Sequence, residues 1–377
     1  MNEDGQRIHP ILFRKSSRTY EIDEEEAKKE VMEMVRKYSS IEIWQKRRQE
    51  VQSGILKGAD LFPLPKKEPL NPIIRNKKKC HGYTVENVAL ETYPGFYSTG
   101  NLYRPCVTSN SLPAILSPHG HFAAEGGRFS PTVQARCGRL AQMGAIVFAY
   151  DMVGWGESLQ VSHADDHVFS YQLWNGIRAL DFLFLLDGID MSRIGVTGCS
   201  GGGTQSIMLA AVDSRITLSV PVAMVSAHFL GGCICESGLP VHEISRTNNL
   251  EIAALAAPRP QLLVSVDSDW TQNTPFVEFP FLKRIYGLFD ASEQVENAHL
   301  LNEKHDYGYR KRKALYKFVA KKFHLPLIQD RHSKPNKLPE AVSLFNREQL
   351  CVFSGKESKR RCRSMAETLR NNLLHSE

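Results

Sequence analysis

The sequence predicts an α/β protein with a mostly parallel central sheet and helices on both of its faces. Short apolar runs typical of buried strands alternate with longer amphipathic segments along most of the chain, and this alternation is typical of a parallel sheet covered by helices. The 377 residues are 42% hydrophobic and 23% charged. These values are ordinary for globular proteins and exclude a disordered or fibrous chain.

The N-terminal segment is expected to be helical. Residues 21–57 place apolar side chains at helical spacing among charged ones, as an amphipathic helix does. Pro63 and Pro65 end this pattern because proline blocks helix continuation. We therefore predict a helical extension over residues 1–80 that packs on the main domain.

The main domain is predicted over residues 81–325, and it opens with a hairpin. Residues 84–92 alternate as a strand does, and 96–103 follow after a Pro-Gly turn. Further strands are predicted at 114–117, 145–150, 193–197, 216–220 and 261–266. Helices are predicted at 131–143, 168–186, 202–212, 275–288 and 308–323. The expected sheet is thus parallel with an antiparallel start.

The C-terminal residues 326–377 are polar, basic and interrupted by prolines, so an irregular tail with one helix near 364–374 is predicted. The net charge is +6, and two short basic runs, 75–79 and 359–363, supply most of it. No nucleic-acid-binding motif accompanies them, so they are interpreted as solvated loop and tail charge. No nucleic-acid partner is expected.

The N-terminus has neither a cationic start nor an apolar run, so no signal peptide is expected. The most apolar stretch, 216–235, contains Pro221 and His228, and a buried strand and loop explain it better than a membrane span. Eight scattered cysteines are typical of free thiols in a reducing compartment. A cytoplasmic protein is expected, or a periplasmic or secreted one if a signal was removed. The oligomeric state stays open.

The strongest functional motif is G-C-S-G-G at 198–202, between a predicted strand and a predicted helix. G-x-S-x-G in that context is typical of a nucleophile elbow. Glycine is needed at both ends because a side chain there would collide with the neighbouring strand or helix. Ser200 is therefore the predicted nucleophile.

A serine nucleophile needs a histidine base and a carboxylate that orients the histidine. The acid should follow a later strand, where Asp267 and Asp269 both qualify. His305 directly precedes the last predicted helix and is preferred as base over His299, which lies at a strand end. The residue pattern favours His305 and leaves the two aspartates open.

The oxyanion hole is expected to use two backbone N–H groups. One belongs to Gly201, directly after the nucleophile. The other comes from the loop after strand 114–117, where His121 is the preferred donor and Phe122 the alternative. The side chain of His119 is interpreted as loop packing.

Two groups of metal-capable side chains are not favoured as ligands. The first consists of Cys233, Cys235, Glu236 and His242. C-x-C without a second pair is a weak zinc pattern, so a role at the lip of the pocket is preferred. The second is the segment 163–167, where capping of the next helix is preferred. No metal and no other cofactor is expected.

The candidate substrate-binding side chains are Arg128, Phe122, Trp155 and Trp270. Arg128 could pair with a carboxylate through two hydrogen bonds, which would favour a uronate substrate. The three aromatic residues could form a platform for a sugar ring, although Trp270 could equally pack over the acid loop.

The chain resembles the α/β-hydrolases and, more narrowly, the acetylxylan-esterase-like branch of bacterial carbohydrate esterases. The elbow carries the broad resemblance. The narrower one lies in YDMVGWGES at 150–158, GGCICESG at 231–238, AAPRP at 256–260 and DWTQNTP at 269–275. The resemblance covers about residues 40–325.

This resemblance implies the α/β-hydrolase fold and ester hydrolysis without a cofactor. It places the acid directly before Trp-Thr, which selects Asp269 over Asp267, and the base in a His-Asp-Tyr stretch, which again selects His305. The implied substrate is an acetyl ester of a plant polysaccharide or oligosaccharide.

Three other functions are compatible with parts of the sequence. Related enzymes include pectin methylesterases, so a methyl ester of galacturonate is the first alternative. A peptidase of the prolyl-oligopeptidase kind is disfavoured because the first 80 residues hold no propeller repeats. A non-catalytic glycan-binding module on a hydrolase scaffold is disfavoured because all three triad positions are chemically intact.

Overall fold

One large sheet forms the centre of the computed structural model, which describes residues 20–107, 111–121, 126–237, 239–330 and 338–353. The strands are β1 (Tyr20–Glu21), β2 (Ile73–Lys79), β3 (Tyr83–Tyr93), β4 (Phe96–Pro105), β5 (Leu112–Leu116), β6 (Ile146–Tyr150), β7 (Ile189–Cys199), β8 (Leu218–Val222), β9 (Phe229–Gly231), β10 (Gln261–Val266) and β11 (Val295–Leu300). The helices are α1 (Glu24–Lys37), α2 (Ile41–Gly58), α3 (Pro131–Gln142), α4 (Val168–Phe184), α5 (Gly201–Val212), α6 (Ile234–Ser237), α7 (Leu239–Ser245), α8 (Asn249–Ala254), α9 (Glu278–Gly287), α10 (Tyr309–Phe323) and α11 (Arg347–Leu350).

The large sheet has nine strands in the order β11-β10-β8-β7-β5-β6-β4-β3-β2. Strands β2, β3 and β4 pair antiparallel, and β4 pairs antiparallel with β6. All pairs from β6 across to β11 are parallel. The predicted α/β class is confirmed, including its antiparallel start, and the short strands β1 and β9 pair with each other outside this sheet.

Apolar side chains fill both faces of the sheet. One core cluster joins residues of α4, α5 and α9 to one face, and a second joins α3 and α10 to the other. Strands β6, β8 and β10 are buried along their whole length, as expected for a parallel sheet covered on both sides. Because these strands are parallel, their carboxyl ends meet at one edge of the sheet.

The basic run 75–79 is part of β2, at the outer edge of the sheet. Its interpretation as loop charge is wrong, since Ile74 pairs with Val88 and Lys79 with Thr84 in an antiparallel ladder. The run contains no apolar residue, so the alternation typical of a half-buried strand is not visible in it. Charged side chains are typical of edge strands, where they hinder pairing with another chain.

The helical region predicted over 21–57 is two helices rather than one. Asp23 caps α1 by accepting hydrogen bonds from the backbone of Glu25 and Glu26, and Ser40 caps α2. Both helices are fastened to the main body through Glu251 of α8. Arg47 forms two hydrogen bonds with this carboxylate, at 2.8 and 2.7 Å, and Tyr38 donates a third.

The described part of the C-terminal region, 338–353, packs on the antiparallel strands. Leu350, Val352 and Phe353 are buried, and the Asn87 side chain of β3 donates hydrogen bonds to the carbonyls of residues 349 and 351 at 3.0 and 2.7 Å. Within 338–353, α11 is the one regular element. The helix predicted near 364–374 lies outside the described residues.

The described helices include none that combines the length and apolarity needed to cross a membrane.

Removal of the Glu340 carboxylate should destabilise the protein. Glu340 accepts hydrogen bonds from Arg312 at 2.6 and 2.9 Å and from Tyr316 at 2.8 Å, and all three residues are buried. Glu340→Ala leaves the Arg312 charge unpaired, so we expect the free energy of unfolding in urea to fall by about 3–5 kcal/mol. Glu33→Ala, on the exposed face of α1, is the control, and an equal loss in both variants would contradict the role of this pair.

Glu278 at the start of α9 should make stability depend on pH. Burial raises its pKa from 4.5 to about 7. The unfolded chain loses this proton near pH 4.5 while the folded chain keeps it, so stability falls as pH rises from about 4.5 to about 7. Glu278→Gln stays neutral, so between about pH 4.5 and pH 8 its stability relative to the wild type should rise by on the order of 3 kcal/mol. Urea unfolding at both pH values measures this, and a constant difference would refute it.

Candidate active site

Ser200 occupies a strained turn between β7 and α5. Its φ of 56° and ψ of −123° lie in a conformation that side chains rarely adopt. A Cβ at Gly198 would lie 2.4 Å from the carbonyl oxygen of Gly202, and one at Gly202 would lie 2.5 Å from that of Pro118. The two glycines therefore allow the close approach that the elbow motif predicts.

His305 and Asp269 form a hydrogen-bonded pair at the same edge of the sheet. His305 Nδ1 lies 2.7 Å from Asp269 Oδ2. The other oxygen, Oδ1, accepts hydrogen bonds from the backbone N–H of Thr271 at 2.7 Å and from its hydroxyl at 2.5 Å. The Asp269 side chain is 3% exposed, so its orientation is fixed by these contacts.

The two rival candidates have other partners. Asp267 is exposed and accepts the backbone N–H of Asn302 at 3.0 and 2.9 Å, which joins the loops that follow β10 and β11. His299 Nδ1 lies 2.9 Å from the hydroxyl of Ser265 on the neighbouring strand. Of the two aspartates, Asp269 is the one bonded to His305.

Glu236 is the acceptor for the Ser200 hydroxyl. Within the described ranges, Ser200 Oγ donates to Glu236 Oε1 at 3.1 Å rather than to His305. The same oxygen lies 3.1 Å from His121 Nδ1, and Oε2 accepts the backbone N–H of Gly232 at 2.8 Å. The sequence marks Glu236 only as a neighbour of two cysteines, and its contact with Ser200 depends on the folding of a distant loop.

His121 lies directly over the N-terminus of α5. A Cβ at Gly201 would lie 2.8 Å from Met152 Cε and 2.9 Å from His121 Cε1, so the two side chains pack closely on this glycine. Free backbone N–H groups at the first turn of a helix favour negative charge. Neighbouring His119 is buried and accepts the backbone N–H of Met152 at 3.0 Å, and burial lowers the pKa of His119 to about 4.

His121 also belongs to a group that joins the two metal-capable sets of the sequence. His121 Nε2 lies 2.9 Å from His163 Nε2 and 3.1 Å from Cys235 Sγ, and Cys233 Sγ lies 3.5 Å from His163 Nε2. His242 is not in this group, because its Nε2 lies 3.1 Å from Asn249 Oδ1.

In this group the surroundings favour the charged form of the His121 ring and the thiolate form of Cys233. Although burial disfavours the charged form of His121, hydrogen bonds to Cys233 and Glu236 raise its pKa to about 9. A hydrogen bond from Cys235, with further ones from the two histidines, lowers the pKa of the Cys233 thiol well below its usual range. The Glu236 carboxylate beside Ser200 thus faces a ring that can carry positive charge.

Arg128 does not face a substrate. Its guanidinium is buried, with Nε 2.9 Å from Asp151 Oδ2 and Nη2 2.5 Å from Glu157 Oε2, and Nη1 donates to the carbonyl of Leu350 at 3.0 Å. The predicted contact between Arg128 and a substrate carboxylate is therefore wrong, because the guanidinium is buried and already paired. Arg128 instead fastens the C-terminal segment to the sheet.

The aromatic candidates take different positions. Trp270 stacks on Phe229 with ring centroids 3.9 Å apart and packs on His305 at 4.5 Å, as the packing alternative predicts. Trp155 is half-buried and meets the His121 ring edge-on at 6.0 Å. Phe122 lies outside the described residues.

A cavity of about 720 Å³ opens beside His121. Its lining includes Leu159, Val161, His163, Cys233 and Ile234, so both apolar and polar groups face it. Its size is in the range of small-molecule sites.

Comparison with known proteins identifies esterases. A family model described as glucuronyl esterase, fungi, matches residues 161–230. Methylesterase BT1017 is 37% identical, with a TM-score of 0.82 over 90% of this chain and 75% of its own. A glucuronoyl esterase from Solibacter usitatus is 15% identical, with a TM-score of 0.56 over 74% of this chain and 93% of its own; at that identity it shows the fold alone. YtaP of Bacillus subtilis (strain 168), a protein named as a hydrolase, is 24% identical over 241 residues, which are 54% of this chain and 75% of YtaP.

The turn at Ser200 should not accommodate even one added methyl group at Gly198. Gly198→Ala places a Cβ 2.4 Å from a backbone oxygen that cannot move without shifting α5, so we expect the free energy of unfolding to fall by about 1–3 kcal/mol. Gly195→Ala on the same strand is the matched control, since the nearest atoms to its Cβ lie at 3.4 Å. Urea unfolding of both variants tests the claim, and equal stability would contradict the tight turn.

Proposed function

Because the chain belongs to the family of α/β-hydrolase carbohydrate esterases that includes Methylesterase BT1017, we propose that it hydrolyses a carbohydrate ester with Ser200, His305 and Asp269 as a catalytic triad. The observation that carries this proposal is the 2.7 Å hydrogen bond between His305 Nδ1 and Asp269 Oδ2. Asp269 can only accept, so Nδ1 carries the proton and Nε2 is left with a free electron pair.

In the proposed reaction, Ser200 Oγ attacks the ester carbonyl carbon while His305 Nε2 takes the hydroxyl proton. Asp269 holds the ring in its tautomer and stabilises the imidazolium that forms. His305 then gives the proton to the leaving alcohol as the ester bond breaks. Water attacks the resulting acyl-enzyme with the same base, releasing the acid and restoring Ser200.

The proposed oxyanion hole consists of the backbone N–H groups of His121 and Gly201. Two facts support it: the His121 ring lies against Gly201, and Gly201 is the first residue of α5. The loss of one such donor typically slows turnover by on the order of 10²–10³-fold.

Glu236 holds the nucleophile in its resting state in this account. Ser200 Oγ donates to Glu236 at 3.1 Å, so attack requires the hydroxyl to exchange that bond for one with His305. Hydrogen bonds in an empty active site are often tightened only when substrate is bound. A carboxylate beside the oxyanion hole would oppose negative charge there, and its contact with His121 offsets this effect.

A methyl ester of a sugar acid is the proposed substrate. Two comparisons support it: Methylesterase BT1017 is 37% identical to this chain where the two match, and the family model that matches residues 161–230 is that of glucuronyl esterases. The name methylesterase indicates that the alcohol of the ester is methanol. The name glucuronyl esterase indicates that the acid of the ester is a sugar acid. The acetyl ester implied by the sequence resemblance is the second candidate.

The cavity beside His121 is the proposed site for the sugar. It adjoins the proposed oxyanion donor, and Trp155 lies nearby with its edge towards the histidines. A methyl ester is neutral, so its recognition needs no arginine. The burial of Arg128 is therefore compatible with a methyl-esterified uronate.

Substitutions at the proposed triad positions should show that Asp269, and not Asp267, is needed for activity. We expect Ser200→Ala to abolish ester hydrolysis and Asp269→Asn to lower kcat by on the order of 10⁴-fold, because the histidine is left in the wrong tautomer. Asp267→Asn is the matched control two residues away, and it should keep most of the activity. Hydrolysis of a small chromogenic ester measures all three, and full activity of Asp269→Asn would overturn the triad.

The ester class is tested by the released product. Methanol should appear from methyl-esterified galacturonan at a rate well above acetate release from acetylated xylan, and Ser200→Ala should abolish it. Faster acetate release would favour the acetyl ester. Release of neither, with a folded protein, would favour a glycan-binding module.

A further inference from the structure

Four metal-binding side chains converge beside the candidate active site. The ligand atoms of His121, His163, Cys233 and Cys235 all lie within 4.8 Å of one another. They come from three separate parts of the chain, since His121 follows β5, His163 follows β6 and the cysteines follow β9. The two histidines are far from the cysteines in the sequence, so the C-x-C pattern gives no sign that they lie beside it.

The two imidazole rings are oriented by partners on their far sides. His163 Nδ1 lies 2.6 Å from the carbonyl oxygen of Val153, which can only accept, so Nδ1 donates and Nε2 presents its electron pair. His121 Nδ1 lies 3.1 Å from Glu236 Oε1 and is oriented in the same sense. Metal-bound histidines almost always donate their other N–H to a carboxylate or a backbone carbonyl.

The electron pairs of these groups point at one another. The two Nε2 atoms are 2.9 Å apart, and His121 Nε2 is 3.1 Å from Cys235 Sγ. Both cysteines are free thiols. Four donors of this kind repel one another unless a proton or a cation lies between them, and a single cation can serve all four.

We propose that His121, His163, Cys233 and Cys235 bind one Zn²⁺ ion in a tetrahedral site. Two thiolates with two imidazoles are a set typical of zinc. Zinc bonds of about 2.0–2.3 Å place tetrahedral ligands roughly 3.3–3.8 Å apart. The observed separations, from 2.9 Å up to 4.8 Å, bracket that range, so small side-chain rotations suffice.

The role of this zinc is structural. Four protein ligands fill its coordination shell and leave no position for water or substrate. The ion would join three loops beside the turn at Ser200. Its ligand His121 packs on Gly201, and Glu236, which contacts His121, accepts a hydrogen bond from Ser200. Zinc binding does not depend on the proposed esterase mechanism, so the two can fail separately.

The direct test is the metal content of the full chain. Protein purified under reducing conditions and freed of loosely bound metal should contain about one zinc per chain by plasma mass spectrometry. Chelated protein loaded with Co²⁺ should show the absorption of tetrahedral cobalt with thiolate charge transfer. Chelation should also lower the Tm.

Matched variants identify the ligands. Cys235→Ala and His163→Ala should each lower zinc content at least about tenfold and abolish the effect of the chelator on the Tm. Cys106→Ala and His167→Ala, which change a cysteine and a histidine outside the group, should keep both. The proposal is overturned if reduced wild-type protein neither contains nor binds zinc, or if the control variants lose as much zinc as the cluster variants.

Discussion

The close approach of strand, turn and helix at Ser200 is the constraint on which the rest of the site depends. Gly198 and Gly202 leave no space for a Cβ, and Pro118 closes the gap from the neighbouring loop. This contact sets the distance between the loop after β5 and the start of α5, and hence the position of His121 above Gly201. The strain at Ser200 is sustained because the C-terminal half of β7 and nearly all of α5 are buried.

The second organising feature is a carboxylate shared by three donors. Glu236 receives the Ser200 hydroxyl, the Gly232 backbone and the His121 ring, so the buried charge is satisfied without a lysine or arginine. This arrangement connects Ser200 to the histidine–cysteine group. His305 and Asp269 form a separate hydrogen-bonded pair on the loops that follow β10 and β11. The described residues thus form two polar networks at this edge of the sheet, one that includes Ser200 and one that includes His305.

The local sequence pattern was sufficient to predict the α/β class and the elbow, because both leave a signature in residues that are close together in the sequence. The α/β class followed from alternating apolar runs, and Ser200 from two glycines between a strand and a helix. Asp269 could not be separated from Asp267 by pattern, since both follow β10; the resemblance chose between them. Arg128 was misassigned because its partners come from distant segments, including the carbonyl of Leu350. The contact between His121 and His163 was hidden for the same reason, as three loops must fold before those rings meet.

If Ser200 is the nucleophile of an esterase, a reagent specific for activated serines should label it covalently. A fluorophosphonate reacts only with a serine whose hydroxyl is activated and whose oxyanion hole is formed. Incubation with the probe, followed by digestion and peptide mass spectrometry, should find one adduct on Ser200 and none in the Asp269→Asn protein over the same time. A folded wild-type protein that stays unlabelled, or carries the adduct on another residue, would contradict the account.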